Sequence, residues 1–72
     1  MAQLTHAQYD VLERAIADRR RIAIYRRGTE YVVIPRALRL VGGRELIEST
    51  HPTTGDSFDF FIDELESIQV VA

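Results

Sequence analysis

Every positive charge in this chain is an arginine, and all nine lie between Arg14 and Arg44. A guanidinium is a planar fork of donors that grips phosphate or carboxylate bidentately, so the chemistry on offer is anion recognition. Nine arginines against Asp18 and Glu30 leave +7 in that window. Residues 45–72 hold seven acids and no base, leaving −7. Asp10 and Glu13 bring the net charge to −2. Arg19, Arg20 and Arg21, with Arg26, Arg27, Arg36 and Arg39, are the candidate residues of one basic surface. Such a surface binds phosphates with a strong dependence on salt. Tyr25 and Tyr31 are expected on neighbouring strands, where an exposed aromatic ring stacks a base.

A competing account keeps the charges inside the fold. Glu30, Glu45, Glu48, Asp56 and Asp59 are placed to pair with the arginines across strands. Each such pair contributes only about 0.2–1 kcal/mol but helps to set register. The close match in number of acids and bases, and the negative net charge, favour this account. Arg19, Arg20 and Arg21 fall outside it, because no acidic strand is predicted beside them. The missing lysine is also what a genome rich in G and C produces, so it is no proof of phosphate binding.

Other chemistries find little support. Asp59, Asp63, Glu64 and Glu66 match no cation-binding loop and read as a solvated acidic face. They equally suit the arginines of a second subunit. With His6 and His51 far apart and no cysteine, neither a zinc site nor a disulfide is expected. Ser49, Ser57 and Ser67 lie in no nucleophile motif, and Gly42-Gly43 precedes a strand rather than a helix, so it is no phosphate cradle. The expectation is therefore a chain without catalytic residues, metal or cofactor.

The elements that position the arginines follow from periodicity. Thr5 and Gln8 form a capping box, with Leu4 and Tyr9 at the hydrophobic-staple positions. Tyr9, Leu12, Ala15 and Ile16 make an apolar stripe at helical spacing. Asp10, Arg14 and Asp18 occupy the opposite face at i, i+4 spacing, and Asp10 and Arg19–Arg21 suit the helix dipole. The helix is predicted over about residues 5–20, ending near Arg19 or Arg20. The period then becomes two, and strands are predicted over about residues 21–71. Turns are expected at Gly28-Thr29, Gly42-Gly43 and Pro52–Gly55, and a tight turn at Ile62–Leu65. Pro35 is expected to stop a hydrogen-bond ladder or mark a bend. Alternation points Ile22, Ile24, Phe58, Phe60, Ile68 and Val70 into the core. Phe61 either turns in at a bulge or faces outward, and outward it would mark an interface together with Glu64.

One helix followed by five short strands predicts a mainly β chain: a strongly bent, partly closed SH3-like or Sm-like barrel capped by the helix. At 72 residues it forms one domain, which buries little surface alone. Without disulfides or metal, oligomerisation gains weight.

Over residues 12–71 the chain resembles the WYL domain, a small Sm-like barrel module of bacterial regulators. The matching segments are Leu12 to Ile22 leading to Ile24 and Arg26, then Val33-Ile34-Pro35-Arg36-Ala37-Leu38. Leu46-Ile47-Glu48-Ser49 before Thr54-Gly55, and Phe60 to Ile68, complete them. The departures are specific. Arg44-Glu45-Leu46 stands at the naming tripeptide, and Phe61 and Glu64 replace two family arginines. Those family positions are thought to contact nucleic acid or a charged ligand, so the resemblance implies the fold more than the ligand. It also implies a stand-alone version, since the family domain usually follows a helix-turn-helix.

Together these readings predict a non-enzymatic interaction module of regulatory type, self-associating or binding a protein partner through charged surfaces. The alternative is binding of nucleic acid or a phosphorylated ligand through the arginine surface. No run of apolar residues is long enough to span a membrane and the N-terminus does not read as a signal peptide, so a cytoplasmic location is expected.

Overall fold

The computed structural model describes residues 4–71. A helix, α1 (His6–Asp18), precedes five strands: β1 (Ile22–Arg26), β2 (Thr29–Val41), β3 (Arg44–Thr50), β4 (Ser57–Phe61) and β5 (Ser67–Val70). A 3-10 turn at Ile62–Glu64 separates β4 from β5, as the sequence predicts. The strands form one antiparallel sheet in the order β4-β3-β2-β1-β5. The mainly β architecture with one N-terminal helix is the expected one. Closure is not: β4 and β5 are the two edges of the sheet and do not pair. The linking 3-10 turn rounds a corner, and β5 returns to the far side of β1.

α1 starts where the capping box places it. The Gln8 amide donates to the Thr5 hydroxyl and the Thr5 amide donates to the Gln8 side chain. Leu12 and Ala15 are buried, and Tyr9, Val11 and Ile16 pack against the core they enter. The helix stops one residue short of expectation, because Arg19 takes a left-handed conformation at φ 54°. The Arg20 amide then donates back to the Ala15 carbonyl at 2.9 Å, closing the helix end. Asp10 lies beyond the first turn and the arginines beyond the last, so neither fills the predicted dipole position within the helix. Asp10, Arg14 and Asp18 form no ion pair among the described residues.

Two local corrections bear on the site. The first hairpin reverses at Arg27-Gly28, one residue earlier than expected, since Arg26 faces Thr29. Both turn residues have positive φ, 52° and 76°, which is the type I′ geometry whose twist matches the strands. The segments on either side of Pro35 are one continuous strand. Its register slips between Pro35 and Ala37, a bulge that leaves Arg36 unpaired and bends β2. The first half of β2 thereby pairs with β1 and the second with β3.

The concave face of the bent sheet carries Ile22, Ile24, Val33, Ile47, Phe60 and Ile68, all buried, with Leu12 of α1 packed into the same cluster. Phe58 and Val70 were also expected there. Alternation does place them on that face, beside Phe60 and opposite Ile22. They sit at its open rims, however, and remain 37% and 43% exposed.

Candidate anion-binding surface

The structure divides the arginines into two groups. Arg26, Arg39 and Arg44 have carboxylate partners. Arg39 donates to Glu48 at 2.6 Å, the only pair realised from the predicted acidic set of Glu30, Glu45, Glu48, Asp56 and Asp59 among the described residues. Hydrogen bonding to Glu48 raises the Arg39 pKa further. Glu30 and Glu45 accept instead from tyrosine hydroxyls: Tyr25 at 3.1 Å and Tyr9 at 2.6 Å.

Arg44 is the most heavily engaged. It forks onto Asp63 through Nε at 2.8 Å and Nη2 at 2.7 Å, and Nη2 reaches Glu64 at 3.3 Å. Its guanidinium carbon lies 3.8 Å from the centre of the Phe61 ring. The bond from Arg44 holds the Asp63 carboxyl below its ordinary pKa. Phe61 is therefore half-buried beneath a cation rather than an open apolar patch. Glu64 is likewise committed, since it also lies 3.9 Å from Arg26. The acidic turn that read as a solvated face is the anchor of these two arginines.

Arg26 closes the rim of the core farthest along β1 from α1. Its guanidinium carbon is 5.2 Å from the ring centres of both Tyr31 and Phe60. Tyr31 packs against Phe60 at 5.3 Å. Both residues are thus used inside the fold, and Tyr31 presents no free face for stacking. Tyr25 stays half-buried with its hydroxyl held by Glu30.

The second group is Arg14, Arg19, Arg20, Arg21, Arg27 and Arg36, all exposed. No carboxylate lies within 4.0 Å of any of them among the described residues. Four of them line two shallow clefts beside α1, and Arg21 follows where β1 begins. Arg19 and Arg36 line one shallow cleft of about 260 Å³ with Ile16, Ala17, Ile34 and Pro35. Arg14 and Arg20 line a second cleft of about 280 Å³, between α1 and β5, with Val11, Ala15, Asp18 and Val70. Arg21 lies between these elements, its carbonyl accepting from the Val71 amide at 3.0 Å. Asp18 is the one carboxylate in the two clefts. Arg27 stands apart at the hairpin tip, roughly 20 Å away along β1 at about 3.3 Å per residue.

No family model, curated protein or solved structure matches this chain.

Backbone irregularity builds the convergence. The left-handed Arg19 turns the chain out of the helix, and the Pro35 bulge aims Arg36 at the same place. A helix C-terminus attracts cations by its own dipole, worth about 0.3–1 kcal/mol each. The effect fades beyond the last turn, so it favours Arg19 at the C-cap more than Arg20 or Arg21, and it gives no account of Arg36, which comes from β2 and caps nothing. Sequence spacing identified Arg19–Arg21 and Arg36 but missed Arg14, which read as one member of a surface charge pair. No local spacing signals it, because Arg20 lies beyond the helix, after the left-handed Arg19 has turned the chain. Among the described residues no group of three or more potential metal ligands is found.

Proposed function

We propose that this chain is a non-enzymatic interaction module, WYL-like in its strand and helix layout, that binds a polyanion through Arg19, Arg20, Arg21 and Arg36, with Arg14 at the margin. The observation that carries this reading is that Arg19, at the helix end, and Arg36, at the β2 bulge, line one cleft and have no carboxylate partner among the described residues. Single-stranded nucleic acid is the fitting ligand class, because its spaced phosphates can meet guanidinium groups in both clefts. The test is fluorescence anisotropy with labelled single-stranded DNA and RNA at low salt. Four phosphate contacts give a log–log salt slope of about −3, from roughly 0.7 per contact. Binding that ignores Arg19/Arg20/Arg21→Ala, or no binding at low salt, rules the reading out.

A second reading rests on the free edges of β4 and β5. An exposed strand edge is a template for another chain. β4 carries Asp59, whereas β5 carries no charge of its own and ends beside Arg20 and Arg21, so opposite edges of two copies carry opposite charge. In this reading the module self-associates. Light scattering over a range of concentration and salt decides it, and a constant monomer mass excludes it.

A further inference from the structure

The bend in β2 leaves a third, shorter edge. β3 accompanies β2 only as far back as Ile34, opposite Thr50. His51-Pro52 then leads the chain away: the His51 ring accepts from the Thr53 and Thr54 amides, and Gly55 at φ 77° completes the reversal. The segment Thr29–Val33 is consequently paired on its β1 side alone. In a two-residue hairpin the closing pair is hydrogen-bonded, so Thr29, Tyr31 and Val33 direct their backbone groups to β1. Glu30 and Val32 direct theirs outward. No backbone bond reaches them there among the described residues.

This edge is one wall of a groove of about 250 Å³ whose other wall is His51 and Phe58. Phe58 stacks on Phe60 at 6.4 Å and 13° and contacts His51 at 6.2 Å, leaving its remaining face open. Val32 is 37% exposed beside it. Of the usual protections of a strand edge, Thr29–Val33 has its shortness and the charge of Glu30, but no proline, lysine or bulge.

We infer that Thr29–Val33 docks an extended segment of a partner protein as an added strand. The occupant forms backbone bonds with Glu30 and Val32 and lays an apolar side chain on Phe58. It sets a basic side chain beside Glu30, the acidic group of the groove lining. Among the described residues, none lines both this groove and the arginine clefts, although Val33 of the edge adjoins Ile34 of the Arg19–Arg36 cleft.

The probe is the peptide acetyl-Thr-Val-Lys-Val-Thr-amide, titrated to millimolar concentration against the labelled protein and followed by NMR. Shifts are expected at Glu30, Val32, His51 and Phe58, with amide exchange at Glu30 and Val32 slowed about tenfold at saturation. The same peptide with Glu for Lys is expected to bind at least several-fold more weakly. Absence of shifts at these residues overturns the inference, as does strong protection of both amides without peptide. Equal shifts on concentrating the protein alone also overturn it, in favour of a second copy as occupant. Val32→Pro provides a check on the edge itself. Its amide is unused, so this variant is expected to fold and to lose the peptide, whereas Val33→Pro is expected to unfold. Equal damage from both substitutions refutes the free edge.

Discussion

Replacing Arg19 with glycine separates what the fold wants from what the surface wants. Arg19 sits at φ 54°, where a side chain crowds the following carbonyl. That crowding costs roughly 1–2 kcal/mol, and glycine avoids it. Glycine gives back about 0.5–1 kcal/mol by loosening the unfolded chain. No ion pair is lost, because Arg19 has none among the described residues. Its amide bond to Ala15 is a backbone bond and stays. The expected net gain is about 0.5–1 kcal/mol, a rise in Tm of roughly 2–8 °C for a domain of this size. Binding of single-stranded DNA is expected to move the other way, its salt slope shrinking by about 0.7.

Arg27→Gly is the matched control. Arg27 has nearly the same backbone, φ 52°, but stands at the far hairpin tip. It is expected to stabilise by a similar amount and leave binding unchanged. Thermal melts by circular dichroism and anisotropy titrations at several salt concentrations measure both effects. An Arg19→Gly variant that melts lower refutes the strain argument. Equal weakening by Arg19→Gly and Arg27→Gly shows that the whole positive window attracts the ligand, with no localised surface.

Two ionisable contacts give pH signatures. Hydrogen bonding to Glu45, with burial and the carboxylate charge behind it, pushes the Tyr9 hydroxyl from 10.0 up to about 12. A raised pKa contributes stability that is whole below pH 10 and lost as pH rises toward 12. The Tm gap between wild type and Tyr9→Phe is therefore expected to be constant to pH 10 and to narrow above it. A gap that does not change across that range breaks the assignment. The lowered Asp63 pKa runs in the opposite sense: its contribution is present above the ordinary carboxyl range and lost as pH falls through the depressed value. Melting wild type and Arg44→Gln at stepped acid pH should show their curves drawing together, and a constant separation would mean that the bidentate contact contributes nothing.

The helix start was legible because a capping box is local: Thr5 and Gln8 are three residues apart and need nothing else. Strand existence was equally legible from alternation. What alternation could not supply was depth. Phe58 and Phe60 share one face, yet only Phe60 lies under the other layer. Whether a position is centre or rim depends on where neighbouring strands end. The partner of Arg44 was illegible for a related reason. Asp63 is 19 residues away and arrives only because the 3-10 turn folds back over the start of β3. Arg27 shows a different limit: nothing in the structure explains an arginine at a turn position that asparagine or glycine occupies without strain.

Backbone regularity tracks the division of the arginines. The paired three lie within strands, where register and neighbouring elements bring carboxylates alongside. Five of the unpaired six lie at irregularities or in their flanks, and only Arg14 is in a regular element. Irregular backbone alone thus explains the lack of partners, and isolation is weak evidence for a binding role. Convergence is the stronger evidence, because the helix cap Arg19 and the bulged Arg36, 17 residues of chain apart, have no structural need to aim at one cleft. A double-mutant cycle on Arg19→Ala and Arg36→Ala tests that step. Residues that share one bound phosphate couple by roughly 0.5–3 kcal/mol, whereas independent contacts add within about 0.3–0.5. Coupling in oligonucleotide affinity without coupling in Tm establishes a shared ligand. Additivity in both reduces the cleft to two separate charges on a convex surface, and the case for a built site falls with it.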